Sequence, residues 1–225
     1  MCVTGEAFVK TCETDGMAEP ASRTYGGVDA ADRAVRRRAA LIEAGLDLMS
    51  SVGTDKTTMT AVCAAAGLTE RYFYESFRTK SDLLLAVLDG VADEVRSAAI
   101  HAVSSTDGDV ADRVRAALSA VVSIMLSDPR KGRIAFVESM ASPTLRARRQ
   151  ATIDAVADVV VERSHELWAD RALPPPQDRL MALMFIGACS ELVSARLQDH
   201  IGATPDEIVD AATQLFLTGM LRPTS

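Results

Sequence analysis

From Asp32 onward apolar residues recur at helical spacing. Leu41, Ile42, Gly45, Leu48, Met49 and Val52 line one side of a segment that carries the basic cluster Arg36-Arg37-Arg38 near its start and stops at Gly53. The pattern predicts a first amphipathic helix with a basic N-terminal end. A short second helix follows, with Thr57 or Thr58 as N-cap and Met59, Val62, Cys63 and Ala66 on one side, before Gly67 breaks it. Thr69 caps a third helix in which Phe73 and Phe77, four apart, share one face while Arg71, Tyr72 and Glu75 point away from it. Thr79-Lys80-Ser81-Asp82 reads as a capping box opening a fourth helix, whose apolar positions Leu83, Leu84, Val87, Leu88, Val91 and Val95 run on toward Val103.

The remainder keeps that character, with helical segments over Val110 to Leu126, Arg130 to Met140, Pro143 to Trp168, Gln177 to Gln198 and Pro205 to Leu221. Breaks fall at Ser104–Gly108, Asp128-Pro129, Ser142-Pro143, Pro174-Pro175-Pro176 and Gly202–Pro205. No alternating strand pattern and no repeat of fixed period interrupts them. The expected fold class is therefore all-α, with an N-terminal helix-turn-helix head over 31–90 and a larger helical body over 91–225. Residues 1–30, which contain Gly, Ser, Thr, Pro and scattered acids without periodicity, are expected to be a disordered tail.

Composition changes the picture in one respect. A net charge of −7 over 225 residues, taken alone, argues against a nucleic-acid partner. The charge is uneven: residues 1–30 carry −3, residues 31–90 carry 0 and residues 91–225 carry −4. The excess acid lies outside the head, so the total constrains how DNA is bound without excluding it. With 48% apolar and 24% charged residues the chain is expected to fold around a core.

Cys2, Cys12, Cys63 and Cys189 form no C-x-x-C pair and cluster with no histidine, which predicts reduced thiols and argues against zinc or a disulfide framework. His101, His165 and His200 lie on different segments without an i, i+4 partner, so neither a metal nor another cofactor is expected. No nucleophile elbow and no Gly-rich phosphate loop is present, which argues against an enzyme. Neither a signal peptide nor a run of about 18 consecutive apolar residues appears, so a cytoplasmic protein without a membrane partner is expected.

Two short helices joined by a Gly-containing turn form the arrangement that lays its second helix in the DNA major groove. Thr57-Thr58-Met59, Ala65-Ala66-Gly67-Leu68-Thr69, Phe73-Tyr74, Phe77 and Lys80 together resemble the DNA-binding head of the TetR family of transcriptional regulators. The resemblance covers roughly residues 34–90 and extends to the rest only as a similar all-helical layout. It implies that Thr57, Thr58, Tyr74 and Lys80 meet backbone phosphates and that residues 69–72 and 75 face base edges.

The chemistry agrees, since helix starts present free N–H groups and positive dipole ends, which suits Thr58, Thr69 and Lys80 to phosphate oxygens. Arg71 suits a guanine, Tyr72 a thymine methyl, and Glu70 or Glu75 a cytosine amine. The two glutamates depart from the neutral or basic residues usual in such a helix. Arg37 and Arg38, from the basic end of the first helix, complete the expected DNA-binding set.

The 135 residues that follow the head exceed what DNA binding needs. Leu180 to Cys189 is apolar on nearly all sides of a helix, and with the Ile208 to Leu221 helix it suits a four-helix interface across a two-fold axis. The resemblance likewise implies a homodimer through the last two helices and a small-molecule pocket in the helices before them. Phe136, Met140, His165, Trp168 and Met184 are the candidate ligand-binding residues, for a largely apolar effector.

The expected function is a ligand-responsive repressor that binds a palindromic operator as a homodimer. Its fourth helix is expected to carry the coupling as the one element touching both head and body. The alternatives are a ligand- or partner-binding helical protein with a degenerate DNA head, an activator in place of a repressor, and a helical enzyme, for which only generic carboxylates and isolated histidines speak.

Overall fold

The computed structural model describes residues 25–221, with side chains described from Ala30 onward. The described residues are helical throughout apart from short connections and one isolated antiparallel bridge between Ala172 and Leu221. In chain order the helices are α1 (Tyr25–Val52), α2 (Met59–Ala65), α3 (Glu70–Ser76), α4 (Lys80–Ser105), α5 (Val110–Ser127), α6 (Pro129–Phe136), α7 (Pro143–Trp168), α8 (Gln177–Leu197) and α9 (Pro205–Gly219). Two 3-10 turns, Glu138–Met140 and Ala169–Arg171, follow α6 and α7.

Local signals place most of these boundaries. Thr58 caps α2 by accepting from the Ala61 amide, and Thr79 with Asp82 forms the capping box of α4. Asp109 with Asp112 and Thr204 with Glu207 form two more boxes, at α5 and α9. Gly67, at φ +64°, makes the turn between α2 and α3, a conformation that costs a side-chain-bearing residue more than glycine. The first helix departs from expectation. α1 begins at Tyr25, inside the stretch read as tail, and takes Gly26 and Gly27 into its first turn. Residues 1–24 of the expected tail lie outside the described residues.

The core that positions the head does not end at residue 90. Leu41, Met49, Val62, Phe73 and Leu83, all fully buried, share one cluster with Val122, Met125, Ile134, Leu145, Val193, Ile208 and Val209 of the body. A second cluster at the far end gathers Ala157, Ala182, Phe185, Ala212, Phe216 and Met220, with Phe216 packing its ring 5.3 Å from Phe185 and 5.4 Å from Trp168.

The fourth helix is not alone in touching head and body. α1 also packs directly on α6, and Arg130 of α6 reaches Glu43 at 2.8 Å and also Asp47, both on α1. Gly132 lies where α6 meets α8: an added Cβ would stand 2.2 Å from Leu197 Cδ1, so that side chain would have to move aside.

Candidate nucleic-acid interface

α3 presents an exposed polar face because Phe73 and Phe77 turn inward, buried and packed ring to ring at 5.7 Å. On the outer face Arg71 is 85% exposed and donates from Nε to Glu75 Oε1 at 3.2 Å. Glu75 Oε2 accepts from Arg37 Nη2 at 3.3 Å, and the Arg37 guanidinium lies 4.4 Å from the centroid of the Tyr72 ring. Arg38 lies over Phe77 at 4.9 Å. The basic end of α1 is thus folded onto α3, where it ties Tyr72 and Glu75 into one surface.

The remaining expected contacts divide. Thr69 is exposed and makes no side-chain cap bond, so its hydroxyl is open to a partner. Glu70 is exposed and accepts from Thr60 at 3.3 Å, which joins α3 to α2. Tyr74 is 58% exposed, standing edge-on to Phe73. Thr58 is exposed at the start of α2.

Two positions differ from expectation. Thr57 is fully buried and its hydroxyl donates to the Gly53 carbonyl at 2.9 Å, so its side chain shapes the α1–α2 turn and does not face a phosphate. Lys80 Nζ donates to the carbonyls of Thr57 at 2.9 Å and Thr54 at 3.3 Å, because capping α4 brings it under the same turn. Two of its three donors hold protein backbone. Glu75, engaged by two arginines, is likewise not a free acceptor for a cytosine.

The expected ligand-binding residues are not brought together. Phe136 lines a cleft of about 190 Å³ between α6 and α8. Met140 is exposed on the 3-10 turn after α6. The His165 ring nitrogen Nε2 lies 3.0 Å from buried Asp178. Trp168 packs into the distal core, and Met184 is 65% exposed on the outer side of α8. Helical spacing gave these residues without their facing, which packing decides. A larger groove of about 430 Å³, lined by Asp158, Val161, Glu162, Pro175, Pro176, Asp178 and Arg179, runs along α7 and α8 and contains none of the five.

The sequence reading missed Thr54 and Glu138. Glu138, in an apolar stretch, is buried, and its Oε2 accepts from both the amide and the hydroxyl of Thr54 at 2.8 Å each. No sequence signal links residues 84 apart. The thiols of Cys63 and Cys189 are free, with burial pushing Cys189 up to about 11. Among the described residues no group of three or more His, Cys, Asp or Glu has the geometry to hold a metal ion.

An all-helical body carrying a helix-turn-helix whose second helix exposes threonine, tyrosine and charged side chains defines a DNA-binding protein. Residues 41–87 match the family model of bacterial regulatory proteins of the tetR family, so the chain carries a DNA-binding head of the kind found in those transcriptional regulators. It is 29% identical over 220 residues to the HTH-type transcriptional activator FasR of Mycolicibacterium smegmatis, covering 95% of each chain. The fold is similar to that of the fatty acid degradation regulator FadR from Bacillus halodurans, with a TM-score of 0.64 at 18% identity, covering 81% of this chain and 95% of that one. It is also similar to AibR, solved in complex with isovaleryl coenzyme A and operator DNA, with a TM-score of 0.60 at 19% identity, covering 80% and 97%.

Proposed function

We propose that this regulator is a cytoplasmic, ligand-responsive homodimer that binds a two-fold symmetric operator and represses transcription where it occupies a promoter. The observation that carries the reading is the exposed α3 face, with Arg71 standing out from it for a guanine edge and Thr58, Thr69 and Tyr74 flanking it for phosphates. One seven-residue helix reads few base pairs, so specific affinity calls for two half-sites about 34–36 Å apart.

Dimerisation is supported by α8, where an 18-residue stretch of mean hydropathy 1.6 has only 17% of its residues buried within the protomer. Leu180 and Met184 are exposed on it, and Leu215 on the neighbouring α9. An apolar surface of that kind is expected to be covered, and a second copy covers it by symmetry. Activation is a second reading, favoured by the activator name of the M. smegmatis relative.

The effector is proposed to present a largely apolar group to the body; acyl-coenzyme A compounds, which join an apolar acyl chain to a large anionic carrier, are the first to test, given the ligand named for AibR. The Phe136 cleft is the proposed point of entry. Bound effector then shifts the population between head spacings that fit the operator and those that do not.

The direct check is a fluorescence-anisotropy titration of the full chain against the intergenic DNA upstream of its own gene and against shuffled DNA of equal length. Specific binding is expected to be tighter by about 10³-fold or more and to weaken with salt. Equal affinity for the two DNAs sinks the reading in favour of a degenerate head. Isovaleryl-coenzyme A and a longer acyl-coenzyme A, added to the complex, are expected to release the DNA if the effector is of this class.

A further inference from the structure

We propose that Glu138 is the residue through which the body positions the DNA-binding head, holding the turn between α1 and α2 and so setting operator affinity without touching DNA. The inference rests on the reading that the head binds operator DNA.

A carboxylate that is only 6% exposed is costly unless its charge and lone pairs are met. Here each oxygen is met by a different part of the molecule. Oε2 takes the amide and the hydroxyl of Thr54, at 2.8 Å each, and Oε1 lies 3.3 Å from Arg133 Nη2 on α6. Thr54 is itself buried, at 4% exposure, so both its donors depend on this one oxygen.

The same turn is gripped from the other side by Lys80, which donates to the carbonyls of Thr54 and Thr57. Thr57 closes the turn internally through its amide and hydroxyl, both donating to the Gly53 carbonyl. The next residue, Thr58, is the N-cap from which α2 starts. Between the body and the first residue of the helix-turn-helix there is therefore a continuous polar chain: the Arg133–Glu138 ion pair, the Thr54 hydrogen bonds to Glu138, and then the turn.

The hold lies on a boundary where the body has room to change. Arg133 on α6 and Val137, which immediately precedes the 3-10 turn that carries Glu138, line the α6–α8 cleft. A shift of that turn changes the Glu138–Thr54 distance directly, because Glu138 lies on it.

Amide hydrogen exchange without DNA and anisotropy titration against the upstream intergenic DNA test the proposal on the full-length chain. Glu138→Leu removes both acceptors at similar volume. It is expected to raise exchange at residues 53–58 about tenfold, as for the loss of a buried pair of bonds, and to weaken DNA binding about tenfold, with protection in α8 and α9 unchanged. Glu138→Gln keeps an oxygen for Thr54 and is expected to stay within about threefold of wild type on both readouts.

Unchanged exchange at residues 53–58 in Glu138→Leu overturns the proposal. So does a uniform rise along the chain, or an equal loss in Glu138→Gln. Should Glu138→Leu fail to fold, Thr54→Val, which loses the hydroxyl bond alone, must show a smaller rise confined to the same turn, and no rise there overturns the proposal too. If the wild type ignores the DNA probe, the functional reading fails, while the exchange measurement still decides whether Glu138 holds the turn.

Discussion

Glu75 sits between two guanidiniums, and that placement decides what each charged group on α3 is for. Arg71 and Arg37 both donate to it, so about one positive charge on the reading face is neutralised before DNA arrives. Glu75→Gln is expected to raise affinity for shuffled DNA and to steepen the salt dependence by about one phosphate's worth, read by titration at several salt concentrations. Arg71→Ala is expected to do something different. It should cost about 1–3 kcal/mol on the cognate site while leaving binding to shuffled DNA nearly unchanged, a relaxation of preference visible in the same assay. An equal loss on both DNAs would assign Arg71 to a phosphate. Lys80, with two donors on backbone carbonyls, is expected to act through the turn it holds as well as through any phosphate it meets.

At the scale of elements, the join of α1 to α6 is the feature most sensitive to conditions. Arg130 bonds Asp128 on its own helix cap and Glu43 and Asp47 across on α1, and the Arg130 bonds hold the Asp128 carboxyl below the usual carboxylate range. A carboxyl depressed in the folded state contributes stability that is full above its unfolded pKa and is lost as pH falls through the folded value. Arg130→Met is therefore expected to lower the melting temperature most near neutral pH, with the difference from wild type closing as pH falls below the usual carboxylate range. A difference independent of pH would show that packing of the side-chain stem, and not the charge, holds α1 on α6. Within the head, Phe73 is fully buried between the short helices, and Phe73→Ala is expected to cost about 3–5 kcal/mol, read as lost cooperativity in thermal unfolding.

For the whole molecule the question is what covers α8. Leu180 and Met184 lie four apart on one side of it, exposed at 57% and 65%. Met184→Lys places a charge at the centre of that surface while leaving the protomer core untouched. It is expected to shift the sedimentation of the chain from dimer toward monomer and to weaken operator binding with it. A variant that sediments as the wild type does would move the interface elsewhere. The continuous core from Leu41 to Val209 adds that the head is not an independent bead on a linker, so a change in the body reaches it through packed side chains and not through α4 alone.

The sequence determined the helices, because what makes a helix is local. Apolar spacing of three and four, the capping boxes at Thr79 and Thr204, and the stops at Gly67 and Asp128-Pro129 all act within a turn or two of chain. The helix-turn-helix was legible for the same reason, down to the Thr58 cap of α2 and the inward pair of phenylalanines. Facing and partnership were decided by the tertiary structure. Thr57 turned from a phosphate candidate into a support of the α1–α2 turn, Lys80 took on the same support with two of its donors, and Met184 and Trp168 went one to solvent and the other into the distal core. Thr54 met Glu138 across 84 residues of chain. Contacts of that kind depend on how whole helices pack, and helix packing is set by the summed burial of many side chains, which no short stretch of sequence contains.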